Sequence, residues 1–200
     1  GIPAGVHAVR ANLLGQAPFV ADNVQVAPDY TTTLNMTMRT EAVQLAEELG
    51  AVLRLKGWTV AVAESCTGGK VGDMITSVPG SSDYFLGGVI SYSDDAKVSL
   101  LGVEPAAIEG EGAVSELVAL QMADGARTAF GADVGVSTTG IAGPGGGSPE
   151  KPVGLVFIAV STCEGSVCRK HMFAGARDDV KRASSESALA LAREVLADVV

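Results

Sequence analysis

Two hundred residues, 47% hydrophobic and 18% charged, describe one folded domain with a full core and room for an appendage. A formal net charge of -9 speaks against a nucleic-acid-binding surface, which needs basic patches, and makes small molecules the expected partners. Cys66, Cys163 and Cys168, with only His7 and His171 beside them, give no metal-ligand spacing; with no apolar run of bilayer length either, the expectation is a cytoplasmic protein without metal, cofactor or membrane contact.

Residues 1–39 carry few charges and only short apolar runs, Phe19-Val20-Ala21 and Val24-Gln25-Val26 among them, and read as an extended arm or linker. Beginning at Gly1 without methionine, the chain reads as a piece of a longer protein or a processed product. From Thr40, a plausible N-cap, Val43, Ala46, Leu49, Val52 and Leu53 recur at helical spacing until Gly57. Thr59 to Ala63 is apolar and rich in β-branched residues, hence a buried strand. Glu64-Ser65-Cys66-Thr67-Gly68-Gly69 then turns it into a helix through Val71, Met74, Ile75 and Val78. Such a turn leaves backbone N–H groups aimed at one spot, where the helix dipole favours an anion.

Pro79 to Ser82 breaks the chain, and Tyr84 to Tyr92 reads as a second strand. Ser93-Asp94 caps a helix carrying Ala96, Leu100 and Leu101 and ending at Gly102, with Lys97 in its first turn. Ser115 opens a further helix, through Leu117, Val118, Met122 and Phe130, that stops at Gly131. The strand Asp133 to Thr139 empties into a second glycine loop, Gly140 to Pro149. Val153–Thr162 and Val167–Phe173 form a hairpin about Cys163 to Ser166, placing His171 on a strand surface rather than in a site, and a last helix starts at Asp178 or Asp179. Helices alternating with strands, plus one hairpin, define a layered α/β/α domain with a mixed sheet.

Ligands of such sheets gather at strand ends. Three strand ends carry the chemistry here: Ser65 to Gly69, Tyr92 to Lys97 and Thr139 to Gly147. No histidine sits beside any of them, so a Ser-His-Asp triad is not indicated, and a serine nucleophile would need a lysine that burial leaves neutral. Lys97, on a separate strand-helix junction, suits that role better than Lys70, which is expected to face solvent. Consecutive residues of an extended turn point in opposite directions, so Ser65 or Cys66, but not both, should face the pocket; Cys66 is the expected buried hydrophobe.

Ala-Glu-Ser-Cys-Thr-Gly-Gly (63 to 69), Gly-Gly-Val-Ile-Ser-Tyr-Ser (87 to 93) followed by Lys97, Gly-Ala-Val-Ser-Glu (112 to 116), Thr-Gly-Ile-Ala-Gly-Pro-Gly-Gly-Gly (139 to 147) and Lys-Pro-Val-Gly (151 to 154) together resemble the CinA C-terminal domain, the nicotinamide mononucleotide deamidase family of bacteria. The resemblance runs from about Thr40 to the C-terminus and implies a domain over 40–200, with 1–39 as linker to an unrelated domain. It implies metal-free hydrolysis of the carboxamide of nicotinamide mononucleotide, with Ser65 as nucleophile, Lys97 as base, and Tyr92 and Thr139 in support; some relatives carry serine at the Thr139 position. The expected substrate-binding set is Thr67, Gly68, Gly69, Gly140, Gly143 and Arg177. Backbone N–H groups around Cys66 to Gly69 would hold the oxyanion, and either Arg177 or the 140–147 loop the phosphate. A homo-oligomer, a dimer, is the expected assembly. Two other readings stay open: a non-catalytic nucleotide-binding or regulatory module, and an assembly module whose glycine loops are merely tight turns.

Overall fold

Four apolar residues and a glutamate, every one buried, make β3 (Val60–Glu64) the centre of the molecule. The computed structural model describes residues 5–11, 19–26 and 41–198. Helix α1 (Glu41–Lys56) precedes β3, its Leu49 and Leu53 buried, and Gly57 closes it at positive φ. After β3 come α2 (Lys70–Thr76), β4 (Phe85–Ile90), α3 (Asp94–Leu101), α4 (Pro105–Glu111) and α5 (Glu116–Phe130). Strands β5 (Val134–Gly140), β6 (Leu155–Thr162) and β7 (Gly165–Met172) and helix α6 (Arg177–Asp198) complete the domain.

The sheet runs β4-β3-β5-β6-β7, with β4, β3 and β5 parallel and the β6–β7 hairpin antiparallel. One face sets Val60, Val62, Val134, Val136, Val156 and Ile158 against α1, α2 and α6. The other sets Ala61 and Ala63 against Val118, Met122 and Ala126 of α5 and Ala107 of α4. Each large aliphatic side chain so buried contributes about 1.5–3 kcal/mol. On the second face the approach is closer than side chains would allow: a Cβ on Gly135 would lie 1.9 Å from the Ala123 carbonyl oxygen, and one on Gly125 2.0 Å from that of Leu101. This is the layered α/β/α architecture with a mixed sheet expected from the sequence. Among the described residues no helix is long and apolar enough to cross a membrane.

The helix after Lys70 is shorter than expected, ending at Thr76 rather than reaching Val78, because Pro79 disfavours helical backbone at the residue before it. Helix α4, with proline at its start, was not anticipated. Two compact units, Gly1–Gln44 and Leu45–Val200, divide the chain. Within the expected arm, β1 (Gly5–Ala11) and β2 (Phe19–Val26) pair antiparallel, Gly5 opposite Val26, a pairing not read from the sequence. The remainder of 1–39 lies outside the described residues.

Candidate active site

The ends of three parallel strands deliver the chemistry to one place. Ser65, just past β3, continues the ladder by donating its N–H to the Thr138 carbonyl at 3.0 Å, while Ser91 N–H donates to the Glu64 carbonyl at 2.9 Å on the other side. The peptide joining Glu64 to Ser65 is thus held from both sides. Ser65 opens on a cavity of about 200 Å³ shared with Cys66, Tyr92, Asp94, Lys97, Thr139, Gly140 and Arg177, with Ala113, Val114 and Ala142 as apolar wall. A larger depression of about 610 Å³, along α3 and α5, offers no serine-lysine pair.

Lys97 is held where Ser93 caps α3, the Ser93 hydroxyl accepting from Ala96 N–H. Only 1% of the lysine is exposed. Its Nζ donates to the Ser91 carbonyl at 3.1 Å and, at longer range, to those of Tyr92 and Ser93, and it pairs with Asp94 at 3.5 Å. Ser65 lines the same cavity but is not among these partners. Three carbonyl oxygens and one carboxylate oxygen thus surround the Lys97 amine.

Cys66, the neighbour of Ser65, reaches the cavity wall yet belongs to the core beside α2 and α6. Burial pushes its thiol up to about 12, far from the thiolate a nucleophile requires. Thr139 is buried and gives its hydroxyl proton to the Ala113 carbonyl at 2.7 Å, so it fastens the cavity wall while its lone pairs stay available. Lys151 ties the same wall from outside, donating to the carbonyls of Glu111 and Val114.

Across the mouth, Arg177 at the start of α6 donates to the Gly143 carbonyl at 2.7 Å and to the Tyr92 hydroxyl at 3.1 Å. The two alternative phosphate anchors, Arg177 and the 140–147 loop, are therefore one bonded unit. One turn along α6, Lys181 lies over the serine turn, its Nζ 3.6 Å from where a Cβ on Gly68 would be. The glycine of Gly140 serves the sheet, since a Cβ there would lie 2.7 Å from the Leu155 carbonyl oxygen.

One part of the expected binding set needs correction. Thr67, Gly68, Gly69 and Gly143 do not line the cavity, Gly143 meeting it only through the bond from Arg177 to its carbonyl. Glu64, 2% exposed, folds its carboxylate back into its own turn and accepts from Thr67 Oγ1 at 2.6 Å and from the N–H groups of Gly69, Val71 and Gly72 at 2.8, 3.1 and 2.8 Å. The anion favoured by the start of α2 is thus supplied by the protein itself, and neither the Thr67 hydroxyl nor the Gly69 N–H is left for substrate. The sequence reading missed Glu64, Asp94 and Lys151. A signal existed for two of them, as a carboxylate directly before the glycine turn and a carboxylate one helical turn before Lys97.

With this geometry in place, a family model described as the CinA C-terminal domain matches residues 42–196. The chain belongs to the CinA C-terminal domain family. A CinA-like protein of Salinibacter ruber is 50% identical over 154 residues, 77% of this chain and 37% of its own length. Another, of Thermosynechococcus vestitus, is 53% identical over 155 residues, 76% of this chain and 37% of its own. The chain thus spans less than half the length of these curated relatives. The crystal structure of competence/damage inducible protein CihA from Agrobacterium tumefaciens superposes with a TM-score of 0.76 at 36% identity, covering 84% of this chain and 100% of that one. The CinA domain here therefore corresponds to a whole solved chain in one relative and to a portion of longer proteins in others.

Proposed function

We propose that this CinA domain hydrolyses the carboxamide of nicotinamide mononucleotide to nicotinic acid mononucleotide and ammonia, with Ser65 as nucleophile and Lys97 as its base. The observation that carries the reading is a serine and a buried lysine lining one small cavity that has no histidine among its lining residues. At about 200 Å³ the cavity is below the roughly 300–1,000 Å³ usual for drug-sized ligands, and so suits the amide-bearing ring. The ribose and phosphate would lie across the mouth, where Arg177 supplies positive charge.

Lys97 in its neutral form takes the proton of the Ser65 hydroxyl as Oγ attacks the amide carbon, and returns it to the departing ammonia; water then releases the acid from the acyl-serine. Gly69 N–H being taken by Glu64, and Thr67 and Gly68 lying off the cavity, the oxyanion falls to the N–H of Cys66, at roughly 3 kcal/mol for a donor correctly placed. Ammonia release from nicotinamide mononucleotide by purified protein, absent in Ser65→Ala, tests the reading. The acceptors gathered around Lys97 favour a second reading, a nucleotide-binding module that cuts nothing; nucleotide binding without ammonia release would select it.

A further inference from the structure

The amidase reading leaves a contradiction inside the cavity, and the inference drawn here rests on that reading. A base for Ser65 must be neutral, yet the Lys97 amine sits among three carbonyl oxygens and the Asp94 carboxylate, all of them acceptors for its N–H groups. Of these acceptors the three carbonyls belong to the backbone and are fixed. Asp94 differs: it is the first residue of α3, its side chain is 59% exposed, and it lines the cavity, so the carboxylate can be shared with a ligand.

We propose that the substrate amide carries a fixed positive charge, as an N-alkylated pyridine carboxamide does, and that this charge takes Asp94 from Lys97, so that Lys97 releases its proton to solvent as substrate binds. A cation beside an ammonium disfavours the charged amine, and loss of its counter-ion removes what held it. The other groups around the cavity add to this pressure or are neutral to it. Arg177 at the start of α6 brings further positive charge to the cavity, and Lys181, one turn on, lies over Gly68 of the serine turn. Tyr92 lends an uncharged ring, 64% exposed, against which a cationic ring can lie. Cys66, at the end of β3, stays a thiol, and the Glu64 carboxylate beneath is occupied by four hydrogen bonds. The free amine can then accept the Ser65 proton. A neutral amide, by contrast, meets a lysine still charged, so Asp94 makes ring charge a condition of catalysis and is a specificity-determining residue.

Proton release on binding reads this directly. The probes are nicotinamide mononucleotide and its dihydro form, which share carboxamide, ribose and phosphate and differ in ring charge, so that phosphate ionisation cancels between them. Titration calorimetry on Ser65→Ala, in two buffers of different ionisation enthalpy near neutral pH, gives the protons released by each. The charged-ring nucleotide is expected to release up to about one proton more per site, the full loss from a lysine charged before binding. In Ser65→Ala combined with Asp94→Asn the difference should vanish. Equal release by the two nucleotides, or a difference undiminished without the carboxylate, would overturn the proposal. If wild-type protein still frees ammonia from the nucleotide in that event, the amidase reading stands and only the role of Asp94 falls; failure of both nucleotides to bind removes both.

Discussion

Glu64 and Thr67 are joined by a 2.6 Å hydrogen bond in which the threonine hydroxyl donates to Glu64 Oε2. Because Thr67 has one hydroxyl proton, its 2.7 Å contact with Thr138 must run from Thr138 to Thr67. The chain of donors ending on Glu64 links β5 to the serine turn. Glu64→Gln would replace one acceptor oxygen by an NH₂ facing backbone N–H groups. Hydrogen bonds to a charged acceptor are worth about 1.5–3 kcal/mol each, so the variant is expected to lose about 3 kcal/mol in urea unfolding. Where it remains folded, ammonia release should fall more than tenfold, through displacement of Ser65; unchanged turnover would detach the turn's geometry from catalysis.

Lys97→Met keeps the length of the buried side chain and removes the amine. Turnover is expected to drop by about 10²–10⁴-fold, the usual contribution of a positioned acid-base group, with circular dichroism unchanged. Near-wild-type activity at neutral pH would transfer attention to Lys70, the first residue of α2.

Ser65→Ala is expected to abolish amide hydrolysis while nucleotide still binds, and Cys66→Ala to stay active with a stability loss of about 1 kcal/mol. An active Ser65→Ala beside a dead Cys66→Ala would make this a cysteine hydrolase. The thiol also has a pH signature, since burial raises it from 9.0 to about 12. Below 9.0 folded and unfolded chains both keep the proton, whereas between 9.0 and about 12 only the folded chain does. The unfolding free energy of wild type relative to Cys66→Ala should therefore be constant below that window and fall through it by up to about 1.4 kcal/mol per pH unit.

Arg177→Ala removes both contacts across the mouth. If the guanidinium holds the phosphate, KM for the nucleotide should rise about 10- to 100-fold, and much less for the phosphate-free nucleoside. Equal effects on the two substrates would place the phosphate elsewhere.

What could be read in the sequence were features fixed by local chemistry. Ser93 and Ser115 cap the helices they announce, and Gly102 and Gly131 end them in the left-handed conformation that glycine reaches without strain. The convergence of Ser65, Tyr92, Lys97 and Thr139 was legible because parallel strands bring their ends together. Helix α4 was not, since seven residues with only Ala107 and Ile108 turned inward are too short to show a period. Nor was the fate of the glycine turn. Unpaired N–H groups invite an anion, but sequence spacing does not say whether substrate or the preceding Glu64 will fill the place. The surroundings of Lys97 were missed for a similar reason: burial was foreseen, the three backbone carbonyls around its amine were not.

The bond from Ser65 N–H to the Thr138 carbonyl has a consequence for how the site survives thermal motion. It belongs to the β3–β5 ladder, two strands whose residues are nearly all buried, and such ladders open only when the whole domain does. In deuterium oxide the Ser65 amide should therefore exchange as slowly as the slowest in the protein, while amides of the exposed strand β7 exchange through local fraying at far lower cost. An edge of the sheet can come and go without Ser65 losing its place.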